Sequence, residues 1–266
     1  MLVRSAASAA LMPRDLLSCP HCLGDLFTSE GAGGARVLKC DGCATCYPVW
    51  LGIPDFRDAN ARAAYPDENR LLPALAERYD RCSSAELLST VLDYTQGRTD
   101  EERQRLRDSY LRDTGARGAR RCAMIDHLHR RSGRTPDYSA ILEIGCGIGG
   151  TLFELASQGR AFGSDTNLLD LVSARKRAEE LGLDVTLVCA APEALPLKSG
   201  VFSLVNFMHA YEHFKDQAEG LREVYRVLAP GGASSFNVPN RLSLWVEPHT
   251  GPVSYTHLTL PTNREV

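Results

Sequence analysis

Ile141-Leu142-Glu143-Ile144-Gly145-Cys146-Gly147-Ile148-Gly149-Gly150 is the stretch from which the fold follows. Its apolar start has the character of a strand buried in a parallel sheet, and it runs into a glycine-rich turn. Thr151-Leu152-Phe153-Glu154-Leu155-Ala156 then opens a helix. Strand, turn and helix in this order make the first βα turn of a doubly wound α/β sheet. Glycines at 145, 147 and 149 give the backbone access to positive φ and let a ligand approach the main chain without meeting a Cβ atom.

Gly145, Gly147 and Gly150 also satisfy G-x-G-x-x-G, which alone is a weak dinucleotide fingerprint. Glu143 separates the two ligand classes. A pyrophosphate held at the helix N-terminus lies unfavourably close to a carboxylate two residues before the first glycine. S-adenosylmethionine has no phosphate, and its sulfonium and ammonium groups are favoured by a nearby carboxylate. The segment resembles motif I, E/D-x-G-x-G-x-G, of the class I S-adenosylmethionine-dependent methyltransferases. That resemblance implies a Rossmann-like sheet with Glu143, Gly145, Cys146, Gly147 and Gly149 around the methionine end of the cofactor. A structural strand-turn-helix without a ligand is the other alternative.

The downstream sequence extends the resemblance. Residues 160–165 read as a second strand ending in Asp165, 20 residues beyond Gly145. An acid there, next to Thr166, accepts hydrogen bonds from ribose hydroxyls, a placement that dinucleotide enzymes share. Asn167 is placed to cap the following helix, with Asp170 in its first turn. Residues 185–188 form a third strand, and the 189–197 segment, Cys-Ala-Ala-Pro-Glu-Ala-Leu-Pro-Leu, resembles the family loop G-D-A-E-x-L-P-F. In the family, that loop's aspartate meets the adenine amino group. Ala191 stands at the aspartate position here and Glu193 keeps the acid.

Residues 201–207 read as a fourth strand, with Ser203 where the family commonly has Asp. Met208-His209-Ala210-Tyr211-Glu212-His213-Phe214 resembles the L-E-H segment of the type 11 methyltransferase group. Because this segment leaves the carboxyl end of a strand, His209, Tyr211, Glu212 and His213 are candidates for a general base; they serve equally to cap or orient the next helix. Leu221, Val224, Tyr225 and Leu228 form an apolar stripe read as core, closed by Ala229-Pro230-Gly231-Gly232. Residues 233–238 are the fifth strand, and residues 139–252 together are the expected methyltransferase domain.

At 266 residues the chain has room for this domain and a smaller module, and 44% hydrophobic content suffices for real cores. A net charge of -3 gives no overall electrostatic case for nucleic acid. No apolar stretch approaches the roughly 20 residues of a membrane span. Residues 1–14 show no secretion signal and are read as a loose or mis-assigned start. Nine cysteines, five of them crowded into one window, then point to metal binding in a reducing, cytoplasmic setting.

Cys19-Pro20-His21-Cys22, seventeen intervening residues, and Cys40-Asp41-Gly42-Cys43 give two C-x2-C knuckles at zinc-ribbon spacing. Four thiolates close a tetrahedron, so the expected Zn²⁺ is structural; Cys46 and His21 are competing ligands, and buried cysteines without a metal are the alternative. Glycines 24, 31, 33 and 34 suit a hairpin with a flexible tip. Tyr47-Pro48-Val49-Trp50-Leu51-Gly52-Ile53-Pro54-Asp55-Phe56 is extended and proline-punctuated. With the knuckles it resembles the Trm112-like zinc-ribbon family, across residues 15–56. In that family the module is a partner or fused appendage of methyltransferases, which implies a protein partner as one use of the ribbon.

Residues 57–138 read as a helical connector, with Pro66 and Pro73 marking helix starts and Thr99 and Glu102 forming a capping box, and the methyltransferase resemblance implies that it serves as a lid over the cofactor. A helical region over 99–131 is expected to break near Gly115-Ala116-Arg117-Gly118. Eleven arginines between Arg98 and Arg134 suit either an RNA-facing surface or a salt-bridged helix face, the latter favoured by the interleaved acids and the lack of aromatic interleaving of the kind that stacks on bases.

Residues 253–266 show neither the helix nor the antiparallel hairpin with which the family fold ends. They are read as a non-native tail outside the fold, which leaves the sheet incomplete at its last strands. The sequence thus supports an S-adenosylmethionine-dependent methyltransferase acting on a small molecule or an RNA base. A zinc-ribbon scaffold for a separate methyltransferase is the alternative, and an NAD(P)-dependent oxidoreductase is the third reading.

Overall fold

The chain begins with an antiparallel sheet of four strands in sequential order, β1 (Leu26–Glu30), β2 (Arg36–Cys40), β3 (Cys46–Trp50) and β4 (Ile53–Pro54). The computed structural model describes residues 14–31, 34–94, 99–240, 246–247, 251–252 and 254–260. β1 and β2 pair from Leu26 opposite Cys40 to Glu30 opposite Arg36, the hairpin that the glycines anticipate. Tyr47 is buried in this module, its ring 4.7 Å from that of Phe56. So small a sheet has little core of its own. Its buried Leu17, Leu38, Tyr47 and Phe56 instead join the same cluster as Phe162, Val205 and Phe207 of the main sheet. Backbone bonds from Ser18 N to Pro196 O (3.0 Å) and from Lys198 N to Leu16 O (2.9 Å) fasten the two bodies together.

Four helices follow: α1 (Ala59–Ala63), α2 (Glu68–Arg78), α3 (Ser84–Tyr94) and α4 (Asp100–Arg131). Asp58 caps α1, its Oδ1 accepting from Ala61 N at 2.7 Å. Two sequence expectations are corrected. Pro73 lies inside α2 and does not begin a helix; burial of Leu71, Leu72 and Leu75 on one face outweighs the proline cost, about 3 kcal/mol. The expected break at 115–118 is absent: α4 runs unbroken from the Thr99–Glu102 capping box to Arg131. Gly118 there is a contact residue, since a Cβ atom at this position would collide with the carbonyl oxygen of Gly150. Glycine lets α4 lie directly on the helix after the glycine-rich turn.

The main sheet contains β5 (Ala140–Ile144), β6 (Arg160–Asp165), β7 (Val185–Cys189), β8 (Phe202–Phe207) and β9 (Leu228–Asn240). Between them run α5 (Gly150–Ala156), α6 (Leu168–Leu181) and α7 (Gln217–Val227). After a short hairpin of β10 (Val246–Glu247) and β11 (Gly251–Pro252) comes β12 (Ser254–Leu260). The strand order is β12-β9-β8-β5-β6-β7, parallel throughout except for β12, so the order reverses between β5 and β8. This is the doubly wound arrangement expected from the motif. Two further readings change. Residues 254–260, set outside the fold on sequence grounds, pair antiparallel with β9 from Ser254 opposite Asn240 to Leu260 opposite Ser234; alternating Tyr255, His257 and Thr259 suit a strand without giving an apolar pattern. Tyr225, read as core, is exposed, while Val224 and Val227 are buried and anchor α7. Among the described residues no helix is long and apolar enough to cross a membrane.

Arg57, which follows the ribbon directly, ties the parts together. Its side chain is fully buried, and all five of its N–H groups have acceptors. Nε and Nη2 donate to Asp55 at 2.9 Å each, Nη1 and Nη2 to Glu68 at 3.0 and 2.6 Å, and Nη1 to the Thr166 carbonyl at 2.8 Å. Glu68 Oε1 also accepts from Leu168 N at 3.1 Å, at the start of α6. Alongside, Phe56 N bonds Cys189 O at 2.8 Å, so the chain leaving the ribbon lies against the carboxyl end of β7. Replacing Arg57 with Met leaves Glu68 without a cation and Asp55 with only the half-exposed Arg62. We expect a loss of about 3–5 kcal/mol in urea unfolding; a loss below about 1 kcal/mol, the value of an exposed pair, would contradict this role.

A second buried ionisable group, this one holding its proton, lies at the sheet's centre. Glu143 on β5 accepts from Asn206 Nδ2 of β8 at 3.2 Å, and its other oxygen has no partner. Burial raises its pKa to about 8, against the opposing influence of Arg121, Thr151 and Asn206. The folded state therefore holds this proton more tightly than the unfolded one. The resulting stabilisation is complete below the ordinary glutamate range and is lost as pH rises through about 8. Glu143→Gln, which cannot titrate, should show a flatter stability profile than the native protein, the two diverging by about 4 kcal/mol between pH 4.5 and pH 9. Parallel urea midpoints across that range would show that Glu143 is already ionised in the fold.

Candidate cofactor and metal sites

Sγ atoms of Cys19, Cys22, Cys40 and Cys43 all lie within 4.8 Å of one another. Cys19 and Cys43 are 3.6 Å apart and Cys22 and Cys40 are 3.4 Å apart. A Zn–S bond of about 2.3 Å implies tetrahedron edges of about 3.8 Å, so the set fits one tetrahedral ion. The pKa of Cys43, hydrogen-bonded to Thr45, is drawn down to about 6. Cys22 is pushed up to about 12, the Gly24 amide opposing the rise that hydrogen bonding to Cys40 and burial cause. Once deprotonated, four sulfurs this close would favour a cation among them. Cys46 is outside the cluster, its Sγ directed to Ala44 O at 3.7 Å. Tyr47 supports the site from below, with its hydroxyl 3.0 Å from Cys19 Sγ.

The second site is a cleft of about 500 Å³ at the carboxyl ends of the parallel strands. Its floor comes from Gly145 after β5, Asp165 and Thr166 at the end of β6, and the 190–193 loop after β7. His209, Ala210 and the 213–215 segment after β8 form one wall, and Ala61, Ala64 and Tyr65 of the connector form the other. β5 and β8 are the neighbours at which strand order reverses, the position at which such sheets take ligands. Gly145 is bound to its conformation twice over: its φ is +73°, and a Cβ atom would stand 2.6 Å from that of Ala210. Gly147 and Gly149 also have positive φ, and Gly149 is the residue from which α5 starts.

Asp165 organises the turn. Its Oδ2 accepts from Gly147 N at 2.8 Å and its Oδ1 from Asn167 N at 2.9 Å, joining the glycine turn to the cap of α6. Burial raises its pKa, opposed by these backbone bonds and by Arg57. Each oxygen keeps acceptor capacity for a ligand hydroxyl. Thr166 is held from the connector side by Tyr65, hydroxyl to hydroxyl at 2.7 Å, and by Arg57 on its carbonyl.

The structure brings seven of the expected site residues to the cleft: Gly145, Asp165, Thr166, Ala191, Glu193, His209 and His213. Glu193 has a bracing task there, its Oε1 accepting from Lys215 N at 2.6 Å and Asp216 N at 3.2 Å, where α7 begins. Gly147 meets the site through Asp165. Glu143, Cys146 and Gly149 lie beneath or behind the turn and do not line the cleft. Tyr211 packs among Phe207, Phe214 and Phe236, and Glu212 is likewise not part of the lining. That the connector covers the cleft was expected, but its contact residues Ala61, Ala64 and Tyr65 were not named from the sequence. Asp58 before a short alanine-rich helix was a signal of local structure, but nothing local ties that helix to Thr166.

Comparison with known proteins gives this geometry a family. Residues 141–232 match the model of a methyltransferase domain. A demethylmenaquinone methyltransferase of Thermus thermophilus is 38% identical over 95 residues, covering 35% of this chain and 43% of that protein. The chloroplastic tocopherol O-methyltransferase of Arabidopsis thaliana is 34% identical over 134 residues, covering 46% and 37%. Among solved structures, a Pyrococcus horikoshii protein superposes with a TM-score of 0.45 at 21% identity, covering 55% of this chain and 64% of that one. The chain spans less than half the length of these two curated relatives. Over residues 141–232 the chain is thus similar to methyltransferase domains, on a doubly wound, Rossmann-like sheet.

Proposed function

We propose that the cleft binds S-adenosylmethionine and that the protein transfers its methyl group to an acceptor lying against the His209–Lys215 wall. The observation that carries this reading is the glycine turn latched to Asp165 at the point of strand reversal, with the Glu143 carboxyl buried directly below it. Gly145 leaves the cofactor's methionine end room against the backbone, Asp165 and Thr166 take the ribose hydroxyls, and the 190–193 loop flanks the adenine. Ala191 offers no side-chain partner to the ring, so that recognition falls to backbone groups of the loop.

The cofactor supplies a methyl carbon already activated by its sulfonium. The protein's share is alignment and exclusion of water, tasks suited to a cleft closed by the connector. The arginines of α4 favour a small acceptor over RNA, because several already serve ion pairs: Arg103 with Asp100 at 3.0 Å, Arg107 with Asp93 at 2.9 Å and Arg105 with Glu101 at 3.7 Å. The four cysteines hold a structural Zn²⁺ that stiffens the ribbon against the sheet.

Calorimetric titration with S-adenosylmethionine, using NADH as control, tests the reading. We expect micromolar binding of the first alone, abolished in Gly145→Arg and weakened at least tenfold in Asp165→Ala. A folded protein that binds neither would leave the scaffold reading, which the alanine at 191 favours; binding of NADH would favour an oxidoreductase. For the ribbon, we expect one zinc per chain by elemental analysis and a lowered melting temperature on chelation, whereas a metal-free protein of unchanged stability would contradict the proposed site.

A further inference from the structure

His209 is the second residue beyond the end of β8, and it carries backbone strain. Its φ is +56°, a left-handed value that few residues other than glycine adopt. Asn237 of β9, buried to 1% exposure, holds it there with both ends of its amide. Its Oδ1 accepts from His209 N at 2.6 Å, and its Nδ2 lies 3.3 Å from His209 Nε2. The first bond fixes the second. A backbone N–H only donates, so the atom facing it is the amide oxygen and the atom facing the ring is the amide nitrogen. Nδ2 only donates, so Nε2 is an acceptor without a proton, and the neutral ring carries its proton on Nδ1.

We propose that Asn237 is a positioning residue that commits His209, on the wall of the cleft, to act as a hydrogen-bond donor through Nδ1–H and not as a general base. Both nitrogens of the ring are then assigned. Nε2, the one with a lone pair, is taken up by Asn237, and whatever Nδ1 meets it meets as a donor. Resting on the methyltransferase reading, this means that any part of the acceptor that reaches Nδ1 meets a donor there. The acceptor's nucleophile is then already unprotonated or loses its proton to a group other than His209. Strain at His209 has the same explanation: a relaxed backbone at this residue would move the N–H away from Asn237 and free the ring to change tautomer.

The tautomer is directly measurable on the whole protein by two-bond ¹H–¹⁵N correlation of histidine-labelled material at pH 8, with the His209 signals assigned by their loss in His209→Gln. We expect the pattern of an Nδ1-protonated neutral ring. In Asn237→Asp both partner atoms are acceptors, so His209 should switch to the Nε2–H form. An Nε2–H or rapidly exchanging ring in the native protein would overturn the proposal, as would a folded Asn237→Asp variant with an unaltered pattern. If that variant does not fold, the native spectrum decides by itself. Titration of the same sample with S-adenosylmethionine reports separately on the cofactor reading, so the failure of one is not mistaken for the failure of the other.

Discussion

Five hydrogen bonds from one buried guanidinium determine how this molecule is assembled. Arg57 satisfies Asp55 at the ribbon's exit, Glu68 at the start of α2, and the carbonyl of Thr166 in the cofactor turn. Taking a cation and two carboxylates out of water is costly, and apolar residues of the same volume would give similar stability. What the network provides is a fixed geometry: no donor is left over, so the three segments have one way to meet. Arg62, 3.3 Å from Asp55 at the surface, brings the local charge close to balance.

The cleft depends on this joint. Its floor is built by the parallel sheet, with Asp165 joining the turn after β5 to the helix after β6. Its connector wall, in contrast, is held by Tyr65 on Thr166 and by Arg57 on the same residue, both contacts reaching back to the ribbon's end. The ribbon itself shares a core with the sheet and lies along the carboxyl end of β7. A metal in the four-cysteine cluster would therefore stabilise the cleft at a distance, through packed side chains and a saturated hydrogen-bond set.

Local sequence carried the sheet well. Each parallel strand and the glycine turn were legible because apolar runs, punctuating glycines and the Asp165 spacing are all short-range signals. So were the knuckles, whose chemistry lies in the C-x2-C spacing. The readings that changed depended on distant contacts. Gly118 reads as a helix breaker until Gly150 is found beside it, and Pro73 marks a helix start until the Leu71, Leu72 and Leu75 face is seen to be buried. Arg57 and Thr166 are 109 positions apart, and His209 and Asn237 are 28 apart, so neither pairing has a local pattern. Tyr211 and Glu212 looked equal to His209 as site residues, because a short 3-10 turn over Tyr211–His213 decides which of them reaches the cleft.

The central claim is that ribbon, connector and cofactor turn form one unit. Comparing S-adenosylmethionine isotherms of the metal-loaded and chelator-treated protein tests it most directly. If the parts are coupled as described, removing the metal weakens cofactor binding by at least tenfold while the main sheet stays folded by circular dichroism. Equal affinities in the two forms would show that the ribbon is an appendage and that the Arg57 joint transmits nothing to the cleft.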